Sequence, residues 1–120
     1  MRIRAGTADM PAPVIDPATL AELRDAAGAE FVNELIATFF EEAPGLLAEL
    51  RAAWVARSAE RFRRAAHSIK SNASTFGAGQ LAAMARQLEL GGLPADTAAL
   101  DALEREYQRA AAALKELRHG

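Results

Sequence analysis

The sequence has no cysteine, one tryptophan, one tyrosine and two histidines, and lysine supplies only two of its 14 basic residues. Without cysteine there is no disulfide, no thiolate nucleophile and no zinc knuckle, and His67 and His119 are the only imidazoles available to a metal. A metal site is therefore not expected. No apolar run approaches the roughly 18 residues of a membrane span, and Met1-Arg2-Ile3-Arg4-Ala5-Gly6 has positive charge but no hydrophobic segment behind it. Neither a membrane helix nor a secretory leader is expected, and the expected compartment is the cytoplasm. There is no basic run, and the net charge of −2 argues against nucleic acid, whose binding is driven mainly by phosphate neutralisation. A glycine-rich nucleotide loop is also missing, so the chain has no means of binding ATP and phosphorylating itself. The expected partner is another protein.

What the sequence has in abundance is alanine and leucine, 30 and 14 residues, against 7 valines plus isoleucines and 5 threonines. Helix formers outnumber β-branched residues several-fold, so the predicted class is all-α, and 120 residues with 51% apolar content fit one domain. Residues 1–15 hold Pro11 and Pro13 and no apolar periodicity, and are expected to be a flexible lead-in or linker stub. Asp16-Pro17 is a helix start and Gly28 a helix end. From Ala29 to Arg57 an apolar stripe (Val32, Leu35, Ile36, Phe39, Ala43, Leu46, Leu47, Leu50, Ala53 and Trp54) keeps its phase across Pro44, predicting a kinked helix, with a break into two helices as the alternative. Ser58 caps a segment running to about Phe76, a fourth helix covers about Gly79 to Leu90, and a fifth runs from about Ala95 to Arg118. The predicted architecture is an antiparallel four-helix bundle over residues 16–120, with the short first helix across one end. Each long helix has one apolar stripe and an opposite polar face, so a monomer is expected.

Chemistry concentrates on the segment after Ser58. At about 100° per residue, Phe62, Ala65, Ala66, Ile69, Ala73 and Phe76 share one side, and His67 points roughly 150° away, toward solvent. Lys70, Ser71 and Ser74 follow it on the same stripe, with Arg63 and Arg64 one turn before. An exposed helical histidine is ordinarily solvated decoration. The sharper reading is a phosphoryl-accepting nucleophile, because a neutral imidazole has a free lone pair and nearby cations offset phosphoryl charge. Periodicity leaves both readings open.

The run Ala66-His67-Ser68-Ile69-Lys70-Ser71-Asn72-Ala73-Ser74-Thr75-Phe76-Gly77-Ala78 resembles the signature A-H-x-[LI]-K-G-[SA]-[AS]-x-x-[LF]-G-A of the histidine-containing phosphotransfer (HPt) family. Leu81 and the pair Leu88-Glu89 fall where that family has a leucine and a Leu-Glu, and Phe39 to Leu50, with its internal proline, looks like the family's second helix. The resemblance implies a phosphorelay carrier. His67 would accept a phosphoryl group from the aspartyl phosphate of a receiver domain, in a hybrid sensor kinase or a response regulator, and pass it to another receiver's aspartate. Lys70 would steady the phosphoryl oxygens, the receiver would bring magnesium, and the chain itself would need no cofactor. Two positions depart from the signature. Ser71 replaces the usual glycine, and its hydroxymethyl group either crowds the docking receiver or hydrogen-bonds the phosphoryl group; Asn72 replaces a serine or alanine at the side of the helix.

The remaining singled-out residues have plainer expectations. Arg63 and Arg64 read as a solvated face with phosphate contact as the alternative, Trp54 and Phe76 as core, and His119 as frayed and inert. Glu41, Glu42 and Glu49 lie along a solvated flank with no opposing acid or base, which gives acid-base hydrolysis little support. A sensor kinase's dimerisation domain usually has an acidic residue after the histidine and a proline five residues on, where this chain has Ser68 and Asn72. The phosphoacceptor domain of a chemotaxis-type kinase shares the motif and stays open. So does a bundle that only docks partners, although retention of both His67 and Lys70 in a chain with two lysines speaks against it.

Overall fold

The computed structural model describes residues 13–118, which form five α-helices: α1 Pro17–Ala27, α2 Ala29–Val55, α3 Ala59–Thr75, α4 Gly79–Gly91 and α5 Ala98–Arg118. Helix ends fall where side chains or special backbone conformations satisfy the unpaired amides and carbonyls. Asp16 Oδ1 accepts from Ala18 N at 3.1 Å with Pro17 at the first helical position, and Ser58 Oγ accepts from Arg61 N at 3.4 Å. The ends of α2 and α3 are both Schellman motifs. Ser58 N bonds Ala53 O and Arg57 N bonds Trp54 O, with Arg57 held at φ 56° and its guanidinium 4.7 Å from the Trp54 ring centre. In the same way Ala78 N bonds Ala73 O and Gly77 N bonds Ser74 O, with Gly77 at φ 77°.

Helix α2 runs through Pro44 without a break, so the two-helix alternative is not adopted; Pro44 lies on the exposed side. The last helix starts at Ala98 rather than near Ala95. Asp96 Oδ1 accepts from Ala98 N at 3.0 Å and Thr97 O from Asp101 N, so the residues read as a first turn are used as a cap. Trp54 is at the rim of the core, not inside it, because its indole N–H needs an acceptor and finds Pro94 O at 2.8 Å.

Packing closes the helices into a ring. α2 lies against α3 and α5, and α4 lies against α3 and α5, with short connections that make sequential helices antiparallel. Phe39 links three of them, with ring centres 5.4 Å from Phe76 and 5.6 Å from Tyr107, the latter edge-on. The α3–α4 pairing is the most extensive, and both helices bury alanines, Ala65, Ala66 and Ala73 on α3 and Ala85 on α4. Small side chains let two backbones approach closely, which sets the reach of anything that spans the two helices. Among the described residues no helix is long and apolar enough to cross a membrane.

α1 closes the end of the bundle at which α2 begins and α3 and α5 finish. Asp16 N donates to Gly77 O at 2.9 Å, and Arg24 Nη2 donates to Leu117 O at 2.6 Å, a cation on the carbonyl end of α5. The packed chain begins earlier than residue 16: Ile15 is 4% exposed and Val14 packs against the core, so the expected lead-in boundary moves back. An aliphatic residue beside a proline has no periodicity to betray it. Residues 1–12 of that lead-in, and His119, lie outside the described residues.

Gly77 carries two constraints at once. Its positive φ suits glycine, and a Cβ there would sit 2.9 Å from Thr19 Cβ and 3.1 Å from Asp16 O. Gly77→Ala is expected to lower unfolding stability by about 1–3 kcal/mol in urea titrations, the left-handed penalty plus displacement of α1. A change within about 0.3 kcal/mol would contradict this account of the helix junction.

Candidate functional site

Helix α3 buries Phe62, Ala65, Ala66, Ile69 and Ala73 and turns His67 the other way, leaving its side chain 52% exposed. On α4, Leu81, Ala85 and Leu88 point inward, and Glu89 follows Ala85 by four residues on the edge of the same stripe. The Glu89 side chain is 12% exposed, and a carboxylate so enclosed needs partners. It has two. Glu89 Oε2 lies 2.8 Å from His67 Nδ1, and Glu89 Oε1 lies 3.1 Å from Lys70 Nζ. The Lys70 ammonium and then the hydrogen bond from His67 hold the Glu89 carboxyl below the usual carboxylate range, against the burial that pushes it up.

An ionised carboxylate can only accept hydrogen bonds, so the proton of the neutral ring sits on Nδ1. The lone pair is then on Nε2, the ring nitrogen that Glu89 does not hold. The arrangement is an imidazole fixed in tautomer and direction by a carboxylate, with an ammonium sharing the same carboxylate one turn on. The Lys70 side chain is 27% exposed.

The other candidate residues divide. Ser71 and Ser74 are exposed on the His67 side of α3, and neither hydroxyl has a hydrogen-bond partner among the described residues. Ser71 contributes its carbonyl, which accepts from Thr75 Oγ1 at 3.0 Å. Arg63 and Arg64 pair with a nearer acid, and Arg63 also feels the charge of Glu89. Arg63 forms a two-pronged pair with Glu60, Nη2 to Oε2 at 2.8 Å, and Arg64 Nε lies 3.8 Å from the same carboxylate. Glu49 is not simply solvated either: Arg61 holds it at 2.9 Å. Phe76 is in the core as expected. Among the described residues there is no cluster of three potential metal ligands.

Glu89 is the residue that sequence reasoning recorded as a motif letter and gave no role. Its signal was present: an acid four residues after Ala85 and eight after Leu81 sits at the border of an apolar stripe, where it must find a partner from another helix.

With this geometry in hand, comparison with known proteins is direct. The Hpt domain profile matches residues 34–113. The chain belongs to the Hpt domain family. Its fold is similar to the crystal structure of histidine-containing phosphotransfer protein B (HptB) from Pseudomonas aeruginosa PAO1, with 31% identity, a TM-score of 0.82, and coverage of 91% of this chain and 97% of that one. No curated protein matches the chain. This is an Hpt-domain phosphotransfer protein of two-component phosphorelays, a family that relays phosphoryl groups with receiver domains.

The Glu89 carboxyl gives a pH signature. Its proton affinity is lower in the folded protein than in the unfolded chain, so its ion pairs stabilise the Hpt fold above the ordinary carboxylate range and are lost as pH falls through the folded value. The stability gap between the parent and Glu89→Gln should therefore be widest at neutral pH and narrow below about pH 4.3, the ordinary glutamate value, in urea titrations repeated across pH. A gap independent of pH would show that the carboxylate's charge contributes nothing.

Proposed function

We propose that His67 is the phosphoacceptor of this Hpt domain and that the protein is a carrier, taking the phosphoryl group from one receiver's aspartyl phosphate and handing it to another receiver's aspartate. The observation that carries the proposal is the 2.8 Å contact between His67 Nδ1 and Glu89, which leaves Nε2 as an outward nucleophile. In the forward step Nε2 attacks phosphorus, the N–P bond forms, the bond from phosphorus to the aspartyl oxygen breaks, and the aspartate leaves as a carboxylate. The ring keeps its Nδ1 proton throughout and becomes a phosphoimidazolium, whose positive charge faces Glu89. The second transfer is the reverse of the first, and no proton enters or leaves.

Lys70 supplies positive charge beside the transferring group. It stands one turn from His67 and is already oriented by Glu89. Phosphoryl transfer depends on in-line positioning and charge neutralisation more than on covalent help from the scaffold. A partner receiver would contribute a magnesium ion, which neutralises phosphoryl oxygens on its own side. A rigid histidine on a buried helix platform, exposed enough for another protein to reach, is what this division of labour asks of the carrier.

Transfer from a receiver carrying radiolabelled phosphate tests the reading. His67→Gln should fold as the parent does and take up no label; equal labelling of variant and parent would remove His67 from the role. Lys70→Ala is expected to slow transfer about 10- to 100-fold, the loss of one charge-assisted contact in the transition state. Ser71→Gly is expected to match or exceed the parent's rate, and a large loss would assign the hydroxyl a part in holding the phosphoryl group.

A further inference from the structure

His67 has two unlike flanks. Toward α4, the nearby acid Glu89 is neutralised by Lys70. Toward α2, a groove of about 500 Å³ runs between the helices, with Glu41, Glu42, Gly45 and Leu46 on one wall and Ser68 and Asn72 on the other. Ser68 is the residue after His67 and Asn72 the residue after Ser71, so the groove lies on the α2 side of the helix stripe that carries His67.

Gly45 is what leaves this groove open. It is an exposed residue in the interior of α2, and an ideal Cβ built on it meets nothing within 4 Å. Neither packing nor backbone conformation calls for glycine there, although glycine in a helix interior is about 0.5–1 kcal/mol less favourable than alanine. The missing side chain therefore serves the outside of the bundle. The groove's charge indicates what fits it. Glu41 and Glu42 are exposed and have no ion pair among the described residues, whereas Glu49, further along the same helix, is taken by Arg61.

We propose that this groove selects the partner: it receives a lysine or arginine that projects from the receiver beside its phosphorylation site. The aliphatic stem lies along Leu46 in the space left by Gly45, and the cationic head meets Glu41 and Glu42. The proposal rests on the reading of His67 as acceptor from receivers and adds which receivers it accepts. Edge charges of this kind act mainly on encounter rate and on rejection of wrong partners, through like-charge repulsion at the same spot.

A panel of purified receiver domains phosphorylated with acetyl phosphate provides the test, half with basic and half with neutral or acidic side chains around the phosphorylated aspartate. Transfer to the full chain is timed at about 0.05 M and about 0.5 M salt, where screening lengths differ severalfold. The parent should prefer the basic receivers at low salt, and the double variant Glu41→Lys, Glu42→Lys should lose about tenfold or more of that rate, with the difference shrinking at high salt. Gly45→Leu should slow the same receivers without lowering thermal stability. Phosphoramidate, a small donor that needs no docking, should label all of these variants as it labels the parent. Equal low-salt rates for parent and double variant with every receiver would overturn the proposal. Failure of phosphoramidate and every receiver to label the parent would instead overturn the reading of His67.

Discussion

One carboxylate joins two helices and two cationic or potentially cationic side chains. Glu89, carried by α4, reaches His67 and Lys70, both on α3, and among the described residues the imidazole has no other hydrogen-bond partner. This contact depends on how closely α3 and α4 approach, and both helices bury small side chains, Ala65, Ala66 and Ala73 on α3 and Ala85 on α4.

The rest of the scaffold keeps that pair of helices from shifting. Gly77 ends α3 in a left-handed turn, offers its carbonyl to Asp16, and leaves room for Thr19, so α1 is fastened to the α3–α4 junction. At the opposite end of the bundle Arg51 of α2 bridges Asp101 and Glu104 of α5, the Nε–Oε2 contact being 2.8 Å. These pairs are partly exposed and each stabilises modestly, but together they fix the order of the helices around the ring. An acceptor for another protein's active site gains from this rigidity, because an in-line attack tolerates little misplacement.

Most of this fold was legible in the sequence because its signals are local and periodic. Ser58, Asp16-Pro17 and Gly77 mark helix ends by their own chemistry, and the stripe from Val32 to Leu50 survives Pro44 because the helix period does. Local signals fail where a contact comes from far along the chain. Ile15 is in the core because α1 folds back over the bundle end, and Trp54 stays at the rim because Pro94 offers a carbonyl. At the site, periodicity placed His67 and Lys70 on the open face of one helix. It left Glu89 without a role because its partners lie 22 and 19 residues earlier, on another helix. Arg63 and Arg64, read as a solvated face with phosphate contact as the alternative, both pair with Glu60 within one turn on the exposed side of α3.

The central claim is that Glu89 fixes the proton on Nδ1 and so directs chemistry to Nε2. Long-range proton–nitrogen NMR on the His67 ring tests it most directly, recorded before and after treatment with phosphoramidate. The account predicts a protonated Nδ1 in the free protein and a phosphorus-coupled Nε2 afterwards. A ring protonated on Nε2, or phosphorus attached to Nδ1, would contradict it.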